Sequence, residues 1–322
     1  MTISSINLTD PLLKRIAAWM KERFPFANAL LFFMLYLTSM MVARAHSATE
    51  IQLTWLDAIA CLVTWSLFLL IRIFDEHKDY ALDVMNHPER VLQRGIITLK
   101  HLKVMALCAI AVQVSFAFML DGYQFSTVSF CWLLVFIYLL LMGVEFFCGA
   151  WLEQHLTLYA FSHMLIMPLI VFWLANLAVA DISLTLPLLL MMSLAFISGF
   201  CFEITRKTRG PEEERATVDS YSKIFGTQGA AYLVVGLIVI MLINQIGLLF
   251  SLQLSYFPIY FTLFSLLAML TLTSLLKFIK QPSLAAREKN ETAVAINMLL
   301  GYLVIIVGIC FEQGVYFGEM SL

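Results

Sequence analysis

Residues 53–83 read LTWLDAIACLVTWSLFLLIRIFDEHKDYALD, an apolar run that ends in a group of acidic side chains. Between Asp57 and Arg72 the run contains no charged residue. A helix needs about 20 apolar residues to cross a bilayer, so this stretch predicts a transmembrane helix with acidic residues at one end. Of the 322 residues, 61% are hydrophobic and 13% are charged. With a mean hydropathy of +0.88, this composition excludes the soluble, fibrous, disordered and nucleic-acid-binding classes.

Long uncharged stretches recur along the chain and predict an all-α polytopic membrane protein with nine transmembrane helices. The predicted spans are residues 25–44, 53–73, 103–120, 127–148, 156–179, 184–203, 227–250, 256–276 and 294–312. Acidic segments follow the second and sixth spans, at Asp75 and Glu203, which are 128 residues and four helices apart. This offset predicts two four-helix units with a ninth helix appended, and both acidic segments around one cavity.

The basic residues lie almost entirely at one side of the predicted bundle. Of the 20 Lys and Arg residues, only Arg44 falls in a connection on the opposite side. Because cytoplasmic connections carry the excess of positive charge, the N-terminus is predicted to be cytoplasmic and the C-terminus external. We therefore expect an integral protein of a bacterial inner (plasma) membrane, with its acidic segments facing the cytoplasm.

The domain organisation follows from the same pattern. Residues 1–24 combine apolar residues near helical spacing with Lys and Arg, which predicts a cytoplasmic amphipathic segment on the anionic inner leaflet. Residues 25–322 are predicted to form a single transmembrane domain, with motif loops at residues 74–102 and 204–226.

The first motif loop contains carboxylates at helical spacing. If the second helix continues past Phe74, then Glu76, Asp79 and Asp83 fall on one face, with Asp75 at its margin. Like charges at this spacing repel one another, so a bound cation is expected among them. Oxygen ligands suit a hard ion, most naturally Mg²⁺, which is shared between carboxylates and substrate phosphates. The alternative is a solvated, salt-bridged helix end that marks only topology.

Basic residues surround both acidic segments and fit the same chemistry. A metal-bound diphosphate still presents anionic oxygens, which Arg and Lys side chains bind. The candidate diphosphate-binding residues are Arg72, Lys78, Arg90, Arg94, Arg206, Lys207, Arg209 and Lys223. Carboxylates for a metal and cations for phosphate together predict a diphosphate site.

The sequence Asp75-Glu76-x-x-Asp79-x-x-x-Asp83 resembles the Asn-Asp-x-x-Asp-x-x-x-Asp motif of the UbiA superfamily of intramembrane prenyltransferases. Nine spans, a cytoplasmic N-terminus and acidic motifs after helices two and six are features of that superfamily. An upstream Arg and a downstream Arg and Gly, which accompany the motif, are present here as Arg72, Arg90 and Gly95.

The chain departs from the family pattern at three places. Asp75-Glu76 replaces the usual Asn-Asp, which preserves oxygen ligation, and Val91 replaces the usual Pro after the Arg. The second motif usually contains Asp-x-x-x-Asp, whereas here Glu203 is followed four residues later by Lys207. Glu214 is the candidate for the missing carboxylate, and direct contact between Lys207 and the diphosphate is the alternative.

The resemblance implies transfer of a prenyl group from an allylic prenyl diphosphate to a hydrophobic or aromatic acceptor in the lipid bilayer, with Mg²⁺ as cofactor. The implied metal ligands are Asp75, Glu76, Asp79, Asp83, Glu203 and Glu214. Asp79, Asp83 and Lys207 are the candidate catalytic residues, and Asn28 in the first span is the candidate acceptor contact.

Two other functions are compatible with parts of the pattern. A terpene cyclase of the same superfamily would close the prenyl cation on its own double bonds, and only product analysis separates it from a transferase. A transporter would carry the cation across the membrane and would need a polar path through its centre. The middles of the predicted spans are nearly free of ionisable residues, which disfavours the transporter.

Overall fold

The computed structural model describes residues 6–47, 51–214 and 219–318. The chain forms two compact units, which are considered separately: Met1–Tyr36 with Trp55–Phe147, and Leu37–Thr54 with Cys148–Leu322. The first unit contains most of the first predicted span and the next three, and the second unit contains the last five.

The first unit is built from helices that begin with a short amphipathic one. Its elements are α1 (Leu12–Arg23), the first part of α2 (Ala29–Ser47), α3 (Trp55–Lys78), α4 (Tyr80–Asn86), α5 (Leu99–Leu120) and α6 (Thr127–Gly143). Helix α3 packs against α5 and α6. Buried polar side chains join these three helices, because Gln113 donates to Ser66 Oγ at 3.1 Å and accepts from Trp132 Nε1 at 2.9 Å.

Among the described residues, the second unit contains the last part of α2, seven further α-helices and a two-stranded parallel sheet. The helices are α7 (Gly149–Glu153), α8 (Leu156–Met164), α9 (Ile166–Ala178), α10 (Leu186–Arg206), α11 (Tyr221–Ser251), α12 (Phe257–Lys280) and α13 (Leu284–Gln313). The strands are β1 (Ile51–Leu53) and β2 (Val315–Phe317), paired with Ile51 opposite Val315. Helix α10 packs against α8, α9, α11 and α13, which places the end of the sixth predicted span among the helices of this unit.

Eight helical stretches in the described part of the chain are long and apolar enough to cross a membrane. They are Phe26–Ser47, Trp55–Lys78, Leu99–Leu120, Leu156–Ala178, Leu186–Arg206, Tyr221–Ser251, Phe257–Lys280 and Leu284–Gln313. The remaining predicted span, 127–148, corresponds to the shorter apolar helix Thr127–Gly143 of 17 residues. The helical membrane architecture is therefore confirmed, but the count of nine is not.

Helix α6 ends early because the backbone turns away at its last residues. Glu145, Phe146 and Phe147 have φ values of 49°, 54° and 58°, in the left-handed region that non-glycine residues seldom adopt. Consecutive residues in that region cannot continue a right-handed helix. The helix therefore ends at Gly143, five residues before the predicted end of the span at residue 148.

Helix α1 lies in the N-terminal segment and packs within the first unit. Trp19 is fully buried, and Arg15 Nη1 donates to the carbonyl of Ile96 at 3.0 Å. Glu22 accepts a hydrogen bond of 2.9 Å from the backbone N–H of Val91. The helix is thus attached to the loop that follows α4, within the same unit.

Candidate functional site

The first acidic cluster comprises Asp75, Glu76, Asp79 and Asp83, at the end of α3 and in α4. The regular helix stops at Lys78 and resumes at Tyr80. Helical hydrogen bonds cross the interruption, since Asp79 N donates to Asp75 O at 2.8 Å and Asp83 N donates to Asp79 O at 2.9 Å. The predicted continuation of the second helix past Phe74 is therefore correct, with a break at Asp79.

Glu76 is the most buried member of the first acidic cluster, with 1% of its surface exposed. Its Oε1 accepts from Arg23 Nε at 2.6 Å and from Arg72 Nη2. Its Oε2 is buried and, among the described residues, has no hydrogen-bond partner. A buried carboxylate oxygen without a partner is costly, so this atom is a natural ligand for a cation.

Arginines also contact the other members of the cluster. Asp83 Oδ2 lies 2.7 Å from Arg90 Nη1 and 3.4 Å from Arg23 Nη2. Arg72 Nη1 lies 3.9 Å from Asp75 Oδ2. Arg23 therefore bridges Glu76 and Asp83, and it joins α1 to the acidic cluster.

Asp79 has a different environment. Its side chain is partly buried, and no hydrogen bond from the described residues reaches its carboxylate. Burial raises the pKa of Asp79, and the neighbouring Asp83 and Glu76 carboxylates add to this rise, while Lys78 and Arg23 oppose it. A bound cation would relieve both the burial and the repulsion between the carboxylates.

Two candidate diphosphate ligands of the first loop have other contacts in the structure. Lys78 Nζ lies 4.0 Å from Glu145 Oε1, at the end of α6. Arg94 Nη2 donates to the carbonyl of Ile6 at 3.1 Å. Arg72 and Arg90 are the candidates that directly contact the acidic cluster.

The second acidic cluster comprises Glu203 and Glu214 and lies in the second unit. Glu203 is paired within its own helix end, since its Oε2 is 2.7 Å from Arg206 Nη2 and its Oε1 is 2.9 Å from Lys207 Nζ. Lys207 Nζ also lies 5.8 Å from the centre of the Tyr159 ring. Both carboxylate oxygens of Glu203 are thus bound by neighbouring cations.

Glu214 is held by the start of the next helix. Both of its carboxylate oxygens accept from Ser220 Oγ, at 2.7 and 2.8 Å. Ser220 in turn caps α11 by accepting from Lys223 N at 3.1 Å. The backbone N–H of Arg209 donates to Ser222 Oγ at 2.6 Å, so the loop is closed onto α11 on both sides of the undescribed residues 215–218.

The loop is also attached to α13. Arg287 Nε donates to Glu213 Oε1 at 2.7 Å, and Glu212 accepts from the backbone N–H of Leu284. Glu212 and Glu213 therefore fix the loop rather than extend the acidic cluster. Asn28, the candidate acceptor contact, is exposed in the 3-10 turn Phe26–Asn28 that precedes α2.

A magnesium site is compatible with the first acidic cluster on a reduced ligand set. Within residues 6–47, 51–214 and 219–318, no three His, Cys, Asp or Glu side chains form a group that could hold a metal ion. Mg²⁺, however, is commonly bound through one or two carboxylates, several waters and substrate phosphates. The partnerless oxygen of Glu76 and the carboxylate of Asp79 are the candidates for those carboxylates.

Comparison with known proteins identifies the fold and the family. The sequence model of the UbiA prenyltransferase family matches residues 30–303. The chain belongs to this family. No curated protein sequence matches the chain.

Two solved structures resemble this UbiA-family chain over nearly its whole length. A structure of digeranylgeranylglyceryl phosphate synthase has a TM-score of 0.64 and 15% identity, over 92% of this chain and 99% of that one. The apo structure of a UbiA homologue from Aeropyrum pernix K1 has a TM-score of 0.65 and 14% identity, over 89% and 98% of the two chains. At these identities the likeness concerns the fold.

Sequence reasoning missed Arg23 in this UbiA-family chain. The sequence pattern counts Arg23 only among the basic residues of the cytoplasmic side, yet its guanidinium contacts Glu76 and Asp83 of the first acidic cluster. The sequence did contain one indication of this contact, because Arg23 is the last residue of an amphipathic helix. A basic residue at such a position can reach a neighbouring loop. That the two acidic clusters face one cavity stays a prediction.

Proposed function

We propose that this protein is an Mg²⁺-dependent prenyltransferase that moves a prenyl group from an allylic prenyl diphosphate to an aromatic or lipid acceptor within the membrane. The observation that carries the proposal is the first acidic cluster on a UbiA fold. There the buried Oε2 of Glu76 and the Asp79 carboxylate are left for a cation, while arginines hold the surrounding carboxylates.

The first acidic cluster would hold the metal. Glu76 and Asp79 are the principal ligands in this proposal, with Asp83 on the same helix face and Asp75 at its margin. When bound, Mg²⁺ supplies positive charge to the oxygens of the leaving diphosphate. Arg23, Arg72 and Arg90 keep the carboxylates in place through charge-assisted hydrogen bonds, which are stronger than neutral ones.

The second acidic cluster would supply cations rather than a second metal. Glu203 holds Arg206 and Lys207 at the end of α10, and both carry donors suited to diphosphate oxygens. Arg209 and Lys223 are further candidates in the same loop. Lys207, which stands where the family usually has a carboxylate, would stabilise the charge that develops on the diphosphate.

The reaction divides between these charged groups and the apolar helices. The bond between the allylic carbon and the diphosphate oxygen breaks, and its electron pair leaves with the diphosphate. The acceptor then bonds to that carbon and loses a proton. The apolar helices are suited to hold the prenyl chain and to keep water from the cation, which would otherwise give an alcohol.

Product analysis tests the proposal. Membranes containing the protein are incubated with radiolabelled prenyl diphosphates of several chain lengths, with Mg²⁺ or with EDTA, and the lipid extract is analysed by mass spectrometry. The proposal expects a prenylated acceptor that forms only with Mg²⁺ and is absent with the Asp79→Asn variant. A cyclised hydrocarbon without an acceptor would identify a cyclase instead, and EDTA-insensitive turnover would contradict the metal site.

A further inference from the structure

A cavity of about 530 Å³ lies between α3, α5 and α6, entirely within the first unit. Its walls are mostly apolar and include Phe74, Ala106, Leu107 and Ile110. Leu107 is 66% exposed, so the cavity opens at a surface of apolar side chains. In a membrane protein such a surface faces lipid.

Lys78, which lines the cavity, lies on the opposite side of α3 from Glu76. Successive residues of a helix are rotated by about 100°, so Lys78 points about 160° away from Glu76 around the axis. The contacts agree with this direction, because Glu76 binds Arg23 whereas Lys78 approaches Glu145 of the α6 end. The cavity is therefore separate from the proposed diphosphate site.

Polar groups are confined to one end of the cavity. Lys78 and His77 come from the last turn of α3, and Lys103 from the second turn of α5. Ile110, which also lines the cavity, is seven residues beyond Lys103 and thus about 10 Å deeper along α5. The cavity has the polarity of a lipid, with charge at the membrane interface and an apolar part below it.

His77 offers a further recognition group at the charged end. Its Nδ1 lies 2.8 Å from the carbonyl oxygen of Ile73, which can only accept, so Nδ1 carries the proton of that bond. Its Nε2 is buried and, within the described part of the chain, has no hydrogen-bond partner. In the neutral ring this nitrogen accepts a hydrogen bond, as from a headgroup hydroxyl.

The end of α6 shapes the cavity mouth. A Cβ at Gly143 would lie 3.0 Å from the Phe74 ring, so glycine allows this ring to lie against α6. The left-handed residues that follow bring Glu145 to Lys78. Three consecutive non-glycine residues with positive φ form an unfavourable backbone conformation, which persists only where the surrounding structure stabilises it. Since Glu145 partly neutralises Lys78, Lys103 is the principal cation toward the mouth.

We propose that this cavity binds one phospholipid with an anionic headgroup from the cytoplasmic leaflet. Lys103 pairs with the phosphate, His77 accepts from a headgroup hydroxyl, and the upper part of an acyl chain fills the apolar depth. Basic pockets between helices on the cytoplasmic side are suited to anionic lipids, because the charge meets the headgroup while the helices contact the chains. The bound lipid supports α3 from the face opposite Glu76.

Native mass spectrometry of the purified full-length protein tests this site without relying on the proposed activity. The protein is exposed to equal amounts of phosphatidylglycerol and phosphatidylcholine. We expect selective retention of phosphatidylglycerol, reduced about fivefold in Lys103→Gln, in line with the worth of one basic residue near a membrane surface. Lys100→Gln is the matched control, because Lys100 lies one turn earlier on α5 and does not line the cavity.

Two further measurements complete the test. Ala106→Leu places extra volume in the cavity wall and should lower lipid retention while the thermal unfolding temperature shows that the protein is folded. Inorganic phosphate should not displace the lipid, since it lacks the apolar part. Equal retention of the two lipids, equal effects of Lys103→Gln and Lys100→Gln, or displacement by phosphate would overturn the proposal.

Discussion

The two acidic clusters differ in where their cationic partners come from. In the first acidic cluster, Glu76 is bound by Arg72 of its own helix and also by Arg23, which is 53 residues away in the sequence and belongs to another helix. In the second acidic cluster, Glu203 is bound by Arg206 and Lys207, three and four residues further along the same helix end. The first arrangement adds a contact between helices to a local ion pair, whereas the second needs only a helix.

This difference affects how much negative charge remains for a metal ion. The first cluster has four carboxylates in a short segment, and it keeps one buried oxygen of Glu76 without a hydrogen-bond partner among the described residues. It also contains the partly buried carboxylate of Asp79, whose pKa is raised by burial. In the second cluster the carboxylate oxygens of Glu203 and Glu214 all have cations or a hydroxyl as partners. We therefore expect the first cluster to bind the metal and the second to bind the diphosphate.

The two acidic clusters can act on one substrate only if they lie on the same side of the membrane. Whether they do depends on whether α6 crosses the membrane. The chain passes from Asp79 to Glu203 through α5, α6, α8 with α9, and α10, an even number of crossings only if α6 crosses. The pairing of Ile51 with Val315 makes the same demand, because eight membrane helices including α6 lie between them. We predict that α6 spans the membrane despite its 17 residues.

Cysteine labelling gives an all-or-none test of that prediction. Cys148 is exposed just after α6, and Tyr123, just before it, is 81% exposed. An impermeant maleimide should label Cys148 from the cytoplasmic side only and a Tyr123→Cys variant from the outside only. Cys148→Ser provides the background, since Cys108 is exposed too. Labelling of both positions from one side would separate the two clusters and refute the comparison.

Replacing Asp79 should cause the largest loss of activity. Asp79→Asn removes a metal ligand and should lower prenyl transfer by about 100-fold, the effect of losing electrostatic stabilisation of a developing charge. Glu89→Gln is the control, because Glu89 is a carboxylate in the same loop whose side chain is 70% exposed. The measurement is the initial rate of prenyl transfer at saturating Mg²⁺. Equal rates for the two variants would show that Asp79 is not a metal ligand.

The pairing difference itself should appear in stability. Arg23→Ala leaves the buried Glu76 with Arg72 alone, so we expect a loss of about 2 kcal/mol, less than the roughly 3–5 kcal/mol of a fully orphaned buried charge. The Arg206 side chain is 53% exposed, so Arg206→Ala should lower the free energy of unfolding by less than about 0.5 kcal/mol. Thermal unfolding in detergent compares the two variants, and similar midpoints would show that the long-range pair adds nothing.

Lys207 should have a smaller and more specific effect. If its ammonium binds the diphosphate, Lys207→Ala should lower turnover about tenfold, as expected for one charged contact. Lys207→Asp should in addition shift the Mg²⁺ dependence toward a stronger requirement. If turnover depends on Mg²⁺ in the same way for both variants and the parent, Lys207 only contributes to the positive charge of the cytoplasmic side.

Much of the architecture was predictable because bilayer thickness fixes the length of an apolar helix. The second span was placed correctly, and its helix extends past Phe74 to Lys78. The ends of helices were less predictable, since hydropathy marks only the part in the hydrocarbon. Helix α13 begins at Leu284, ten residues before the predicted span, because its charged first turns hold Arg287 against Glu213.

The contacts of the candidate site were less predictable than its composition. The spacing of Glu203 and Lys207 allows an ion pair on any helix, and the structure has that pair. The bond between Arg23 and Glu76 could not be read from the sequence, because it depends on how α1 packs. The cavity beside α3 was missed for the same reason, since three helices contribute to its walls.

Metal binding tests the central claim most directly. Mn²⁺ can replace Mg²⁺, and its electron paramagnetic resonance signal reports binding to the protein in the presence of a non-reactive prenyl diphosphate analogue. We predict that Asp79→Asn loses the bound signal, whereas Glu203→Gln keeps it with affinity within about threefold of the parent. The reverse, a signal that survives Asp79→Asn and is lost in Glu203→Gln, would contradict the assignment of the metal to the first acidic cluster.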